Sequence, residues 1–76
     1  MTEFEWLDIF GDNLKSLLED ANMTQRELAD AAGISEACVS KYITKLQAPN
    51  FRAIINIAYA LDIDISELID FGERII

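Results

Sequence analysis

The sequence predicts an all-α domain of five short helices, and three observations carry that prediction. No period-two run of β-branched residues argues for a strand anywhere in the 76 residues. Helix-start signals recur along the chain at Thr2 with Glu5, Thr24 with Glu27, Ser35, Asn50, and Asp64 with Glu67. Between these signals, apolar residues return at intervals of three and four. A chain this short has room for a single core and buries only about 60% of its unfolded surface. One domain spanning 1–76 is therefore expected, marginal in stability unless partners contribute.

The elements follow in order. The first helix carries Phe4, Leu7, Phe10, Leu14, Leu17 and Leu18. Gly11 inside it costs about 1 kcal/mol relative to Ala and marks a candidate break or kink. Residues 1–9 read as a helical extension before the core unit. The second and third helices occupy 25–32 and 36–44, with the turn at Gly33. Pro49 prevents further helix, and Asn50 caps a fourth over 51–61. Its Phe51, Ile54, Ile55, Ala58 and Leu61 form the predicted core stripe. A short fifth helix holds Leu68 and Ile69, and 70–76 form a tail.

Composition bounds the function. At 51% hydrophobic and 26% charged residues, the chain suits a compact globule rather than a disordered segment. Cys38 is the one cysteine, so an internal disulfide is excluded and a reducing compartment is the natural home. The N-terminus is not a secretory signal, and no apolar run approaches the roughly 18 residues of a membrane span. A cytoplasmic location is expected. The net charge of −8 opposes nucleic-acid binding in bulk, yet its distribution is uneven. Residues 24–52 hold Arg26, Lys41, Lys45 and Arg52 against Glu27, Asp30 and Glu36, a local charge of +1.

That segment contains the most informative stretch, TQRELADAAGISEACVSKYIT, two short helices around Gly33 that leave the start of the second projecting outward. With the proline loop and IINIAYALDIDISELI that follow, it resembles the lambda-repressor/Cro (Xre-type) family of helix-turn-helix domains from about Phe10 to Ile69. Ala29 supplies the small residue where the two helices cross, and Gly33 tolerates a positive φ. Leu28, Ala32, Ile34, Val39 and Tyr42 are expected to face inward.

The resemblance implies a five-helix lambda-repressor-like fold and a sequence-specific DNA-binding transcriptional regulator. It further implies a repressor of phage or mobile-element type that reads a palindromic operator as a homodimer. Gln25 then anchors a phosphate at a helix N-terminus. The outward face of the third helix comprises Ser35, Glu36, Ala37, Ser40, Lys41 and Thr44. Glu36 can accept from cytosine N4, Ala37 can touch a thymine methyl, and Lys41 can donate to guanine or to a phosphate. Ser35 also reads as a helix cap, and Glu36 as a carboxylate favoured in a first helical turn. Lys45, Asn50 and Arg52 are candidate backbone contacts.

Two departures from the family pattern stand out. Leu18 and Ile43 replace an arginine–glutamate pair and are expected to touch. Lys45 replaces a glycine, so that either the third helix runs longer or Lys45 adopts a strained turn. The family's two-fold contact maps onto Ile63, Ile65, Ile69, Phe71, Ile75 and Ile76; alternatively the tail packs on Phe4, Trp6 and Phe10.

No other signal points to chemistry. With no histidine, His-based general-base and metal-ligand schemes are excluded. The run Asp62 to Glu67 imitates a calcium loop but lacks its glycine. Cys38 reads as a small buried thiol and the aromatic residues as core. No enzyme, cofactor, metal or small-molecule ligand is expected. The acidic balance leaves one competing reading: a helix-turn-helix relative of antitoxin or anti-regulator type that binds another protein.

Overall fold

The computed structural model describes residues 3–69, with side chains over 5–69. The order is α1 Glu3–Asp20, α2 Gln25–Ala32, α3 Glu36–Ile43, α4 Phe51–Leu61 and α5 Ile65–Leu68, with no strand among the described residues. The all-α, five-helix expectation holds. The Thr2–Glu5 cap, the Phe4 packing and the tail contacts of Phe71, Ile75 and Ile76 lie outside the described residues.

Three caps form where the sequence placed them. Thr24 Oγ1 accepts from Glu27 N at 3.1 Å while Glu27 Oε1 accepts from Thr24 N at 2.9 Å, a complete capping box. Ser35 Oγ accepts from Cys38 N at 3.1 Å, and Asn50 Oδ1 from Ala53 N at 2.8 Å. At α5, Asp64 N donates to Glu67 Oε2 at 3.3 Å.

The first four helices end alike. In each, a residue at or just beyond the C-terminal cap takes a left-handed conformation and the next amide reaches back to a carbonyl five residues earlier. Those residues are Asn22 (φ 54°), Gly33 (φ 71°), Lys45 (φ 67°) and Asp62 (φ 56°). The closing bonds are Met23 N to Leu18 O, Ile34 N to Ala29 O, Leu46 N to Lys41 O and Ile63 N to Ala58 O, at 2.8–3.1 Å. Of the two outcomes open at Lys45, the strained turn is the one observed, and α3 ends at Ile43.

The core gathers Phe10, Leu14, Leu18, Leu28, Ala29, Val39, Tyr42, Ile57 and Leu68. Trp6 stacks on Phe10 at 5.6 Å between ring centroids, and Phe10 meets Tyr42 edge-on at 6.1 Å, joining α1 to α3. Among the described residues no charged or polar side chain is buried.

The structure corrects three expectations. Gly11 does not break α1, which runs unbroken through it. A Cβ there would sit 2.8 Å from the Tyr42 carbonyl oxygen and 3.2 Å from that of Ile43, so Gly11 exists for the close approach of α3. On α4 the buried residues are Ala53, Ile54, Ile57 and Ala58, whereas Phe51 and Ile55 are exposed. Ile34 and Cys38 are half-buried rather than inside. Ile63, Ile65 and Ile69, where the resemblance puts a two-fold contact, are half-buried against the core.

Candidate nucleic-acid interface

The α2–turn–α3 unit is held from behind. Leu28, Ala29 and Ala32 of α2 and Val39 and Tyr42 of α3 are buried, so the opposite face of α3 is directed outward by the 100° step of the helix. Ser35, Glu36, Ala37, Lys41 and Thr44 are exposed there and Ser40 is half-buried. Small side chains at Ser35, Ala37 and Ser40 leave the helix narrow enough to enter a groove deeply. Lys41 is its one cation.

Several of these groups already have local duties. The Ser35 oxygen caps α3 but its hydroxyl proton stays available to an outside acceptor. Thr44 Oγ1 donates to Ser40 O at 2.8 Å, which leaves it an acceptor only. Asn50 uses its carbonyl oxygen to cap α4, freeing its amide NH2 to donate.

Two open hollows meet α3 on opposite flanks of its buried face. One lies among Lys15, Glu19, Thr24 and Gln25, and Leu18 and Ile43 are both part of its lining. The other lies beside the turn at Gly33 and Cys38 and takes in Gln47, Asn50 and Arg52. Each hollow thus offers polar donors and a cation at a different edge of the projecting helix. Two phosphate strands flanking a major groove would meet that arrangement.

Lys45 does not join either cluster. Its Nζ lies 2.7 Å from Asp8 Oδ1 and 2.9 Å from Asp12 Oδ1, one carboxylate on each side of Gly11. Those bonds, Asp12 first and Asp8 second, raise the Lys45 pKa above its ordinary value. Lys45, expected as a backbone contact, has its charge engaged by α1 in this structure. Conversely, sequence reasoning missed Lys15. Its signal was available, since Lys15 stands one turn before Leu18, the residue the resemblance sets against Ile43 beside Gln25.

The Glu27 carboxylate sits below its ordinary pKa because the Thr24 backbone N–H and hydroxyl both bond it. Burial, and secondarily Cys38, pushes the Tyr42 phenol up, so it stays neutral behind the outward face. Among the described residues there is no cluster of His, Cys, Asp or Glu able to hold a metal ion, and no helix long and apolar enough to cross a membrane.

Comparisons with known proteins agree with this geometry. The family model of the Cro/C1-type HTH DNA-binding domain matches residues 13–73. YqaE of Bacillus subtilis (strain 168), an HTH-type transcriptional regulator, is 30% identical over 61 residues. That match takes in 80% of this chain but 53% of the relative, so the chain spans about half the relative's length. The crystal structure of the restriction-modification controller protein C.AhdI from Aeromonas hydrophila matches with a TM-score of 0.79 and 29% identity, over 82% of this chain and 94% of that one. The SOS-response transcriptional repressor LexA from Eubacterium rectale matches with a TM-score of 0.82 and 25% identity, over 100% of this chain and 81% of that one.

Proposed function

The chain belongs to the Cro/C1-type HTH DNA-binding domain family, and from that premise we propose that it is a sequence-specific transcriptional regulator, a repressor of phage or mobile-element type, reading a palindromic operator as a homodimer. One observation carries the reading: a narrow, outward α3 flanked by two hollows, each with a cation and neutral donors. In this assignment α3 enters the major groove. Lys41 reads guanine, Glu36 accepts from a cytosine amino group and Ala37 contacts a thymine methyl. Gln25, helped by the α2 N-terminus and by Lys15, holds one phosphate strand; Asn50 and Arg52 hold the other. Ser35, Ser40 and Thr44 complete the groove-facing surface. The domain is a single unit over 1–76, working in the cytoplasm without cofactor.

Selection from a pool of random duplexes at low salt tests the proposal. A dyad-symmetric consensus is expected. Lys41→Ala shifts that consensus at one position per half-site, losing about 1–3 kcal/mol of discrimination there. Arg52→Ala weakens every duplex alike and leaves the consensus intact. Failure to enrich any sequence rejects the regulator and leaves the protein-partner reading that the net charge of −8 favours.

A further inference from the structure

We propose that Asp8 and Asp12 of α1, acting through Lys45, are positioning residues for the reading helix: they fix the turn that ends α3, and with it Lys41. The inference rests on the DNA-binding reading and concerns how sharply bases are told apart. Lys45 Nζ bonds both carboxylates, at 2.7 Å to Asp8 and 2.9 Å to Asp12. Its stem crosses α1 at Gly11, where an added Cβ would lie 3.0 Å from Lys45 Cγ. One lysine thus straps the end of α3 to α1, anchored on either side of a glycine. Asp8 and Asp12 both precede residue 13, where the family match begins, so the anchors lie outside the shared unit.

The strap reaches Lys41 through the main chain. Lys45 takes a left-handed backbone, φ 67°. That turn aims two successive amides at one acceptor: Leu46 N lies 2.8 Å and Gln47 N 3.3 Å from Lys41 O. The opposite end of α3 is held by its Ser35 cap and the turn at Gly33. From Ser35 to Lys41 the helix advances about 9 Å, so a tilt of about 10° at the capped end carries Lys41 roughly 1.5 Å sideways. Hydrogen bonds to base edges do not survive that displacement, whereas attraction to phosphate, which falls gently with distance, does.

Stability does not explain the strap. Glycine takes a left-handed backbone without strain, and a lysine does not. The Lys45 side chain is 33% exposed and the two carboxylates 58% and 67%, so water screens both bonds and they offset that strain only in part. A strained residue held at no gain in stability points to a function for its geometry. Charge argues the same way. In a chain of net charge −8, engaging one of six bases on α1 subtracts from the attraction to DNA. The loss is in affinity for any duplex; the gain is in discrimination.

Affinities of the full chain for its selected consensus and for a random duplex, measured side by side, test the assignment. Lys45→Gly and Asp8→Asn/Asp12→Asn are each expected to lower the ratio of the two about tenfold. Lys45→Gly does so while melting at or above the wild type. Asp8→Asn/Asp12→Asn does so while binding the random duplex more tightly, because two negative charges are gone. Lys45→Arg, whose guanidinium reaches both carboxylates, keeps the wild-type ratio. In a Lys41→Ala background neither Lys45→Gly nor Asp8→Asn/Asp12→Asn lowers the ratio further. An unchanged ratio, equal falls in both affinities, a ratio that falls only with the melting temperature, or losses that add to that of Lys41→Ala would each overturn the proposal. A wild type that selects a consensus while the variants discriminate equally well removes the strap and leaves the regulator. A wild type that selects none removes the regulator, and the strap's role with it.

Discussion

At Gly11 the backbone of α1 comes so close to the last turn of α3 that a methyl group would stand 2.8 Å from the Tyr42 carbonyl oxygen. Ordinarily Gly→Ala inside a helix gains about 1 kcal/mol. Here the neighbours are main-chain carbonyls that cannot swing aside, so Gly11→Ala is expected to destabilise by about 1–3 kcal/mol, measured by denaturant unfolding. Lys45 lies against the same turn. Its left-handed backbone is strained for a side-chain-bearing residue, and the bonds to Asp8 and Asp12 partly offset that strain. Lys45→Gly removes strain and bonds together and is expected to melt at or above the wild type. Lys45→Ala keeps the strain, loses the bonds and melts about 2–4 °C lower, a deficit that shrinks at high salt.

At the scale of the element, the helices were legible because their boundaries are written in local chemistry. Thr24, Ser35 and Asn50 each satisfy amides that no helical carbonyl can reach. The inner face of α4 was not legible. All its residues except Arg52 and Asn56 are apolar, and a helix apolar nearly all round gives no phase from which to tell inside from outside. The capping box of α2 makes its stability pH-dependent. Glu27 titrates below its ordinary value of 4.5 when folded. The stability it adds is thus present above the unfolded pKa and is lost as pH falls through the folded one. Thermal melts from pH 6 to pH 3 should fall more steeply for the wild type than for Glu27→Gln. Thr24→Ala, losing the cap, should cost about 1 kcal/mol at pH 7.

For the whole molecule, the balance of charge decides how it meets DNA. With Lys45 engaged by α1, the bases left around α3 are Lys15, Arg26, Lys41 and Arg52. Three to five phosphate contacts per subunit give a slope of about −2.7 to −4.5 per subunit in log affinity against log salt. Lys15→Ala should lower its magnitude by about 1, and an unchanged slope removes Lys15 from the interface. The outward residues of α3 were readable from spacing alone, since burial of Val39 and Tyr42 dictates them. Lys15 and Lys45 were not, because their roles depend on which elements cross. Lys15 gains its place from the hollow that the end of α1 shares with the start of α2 and with Ile43 of α3, and Lys45 loses its own to carboxylates more than thirty residues earlier.

The stacked contact of Trp6 on Phe10, with the edge-on contact of Phe10 and Tyr42, also makes the protein its own optical instrument. Trp6 is the only tryptophan, so tryptophan emission comes from one ring. That ring is coupled through a single phenyl group to the helix that faces outward. Loosening of α3 from α1 therefore becomes visible in fluorescence without any attached dye, and its rate can be followed during encounter with a duplex.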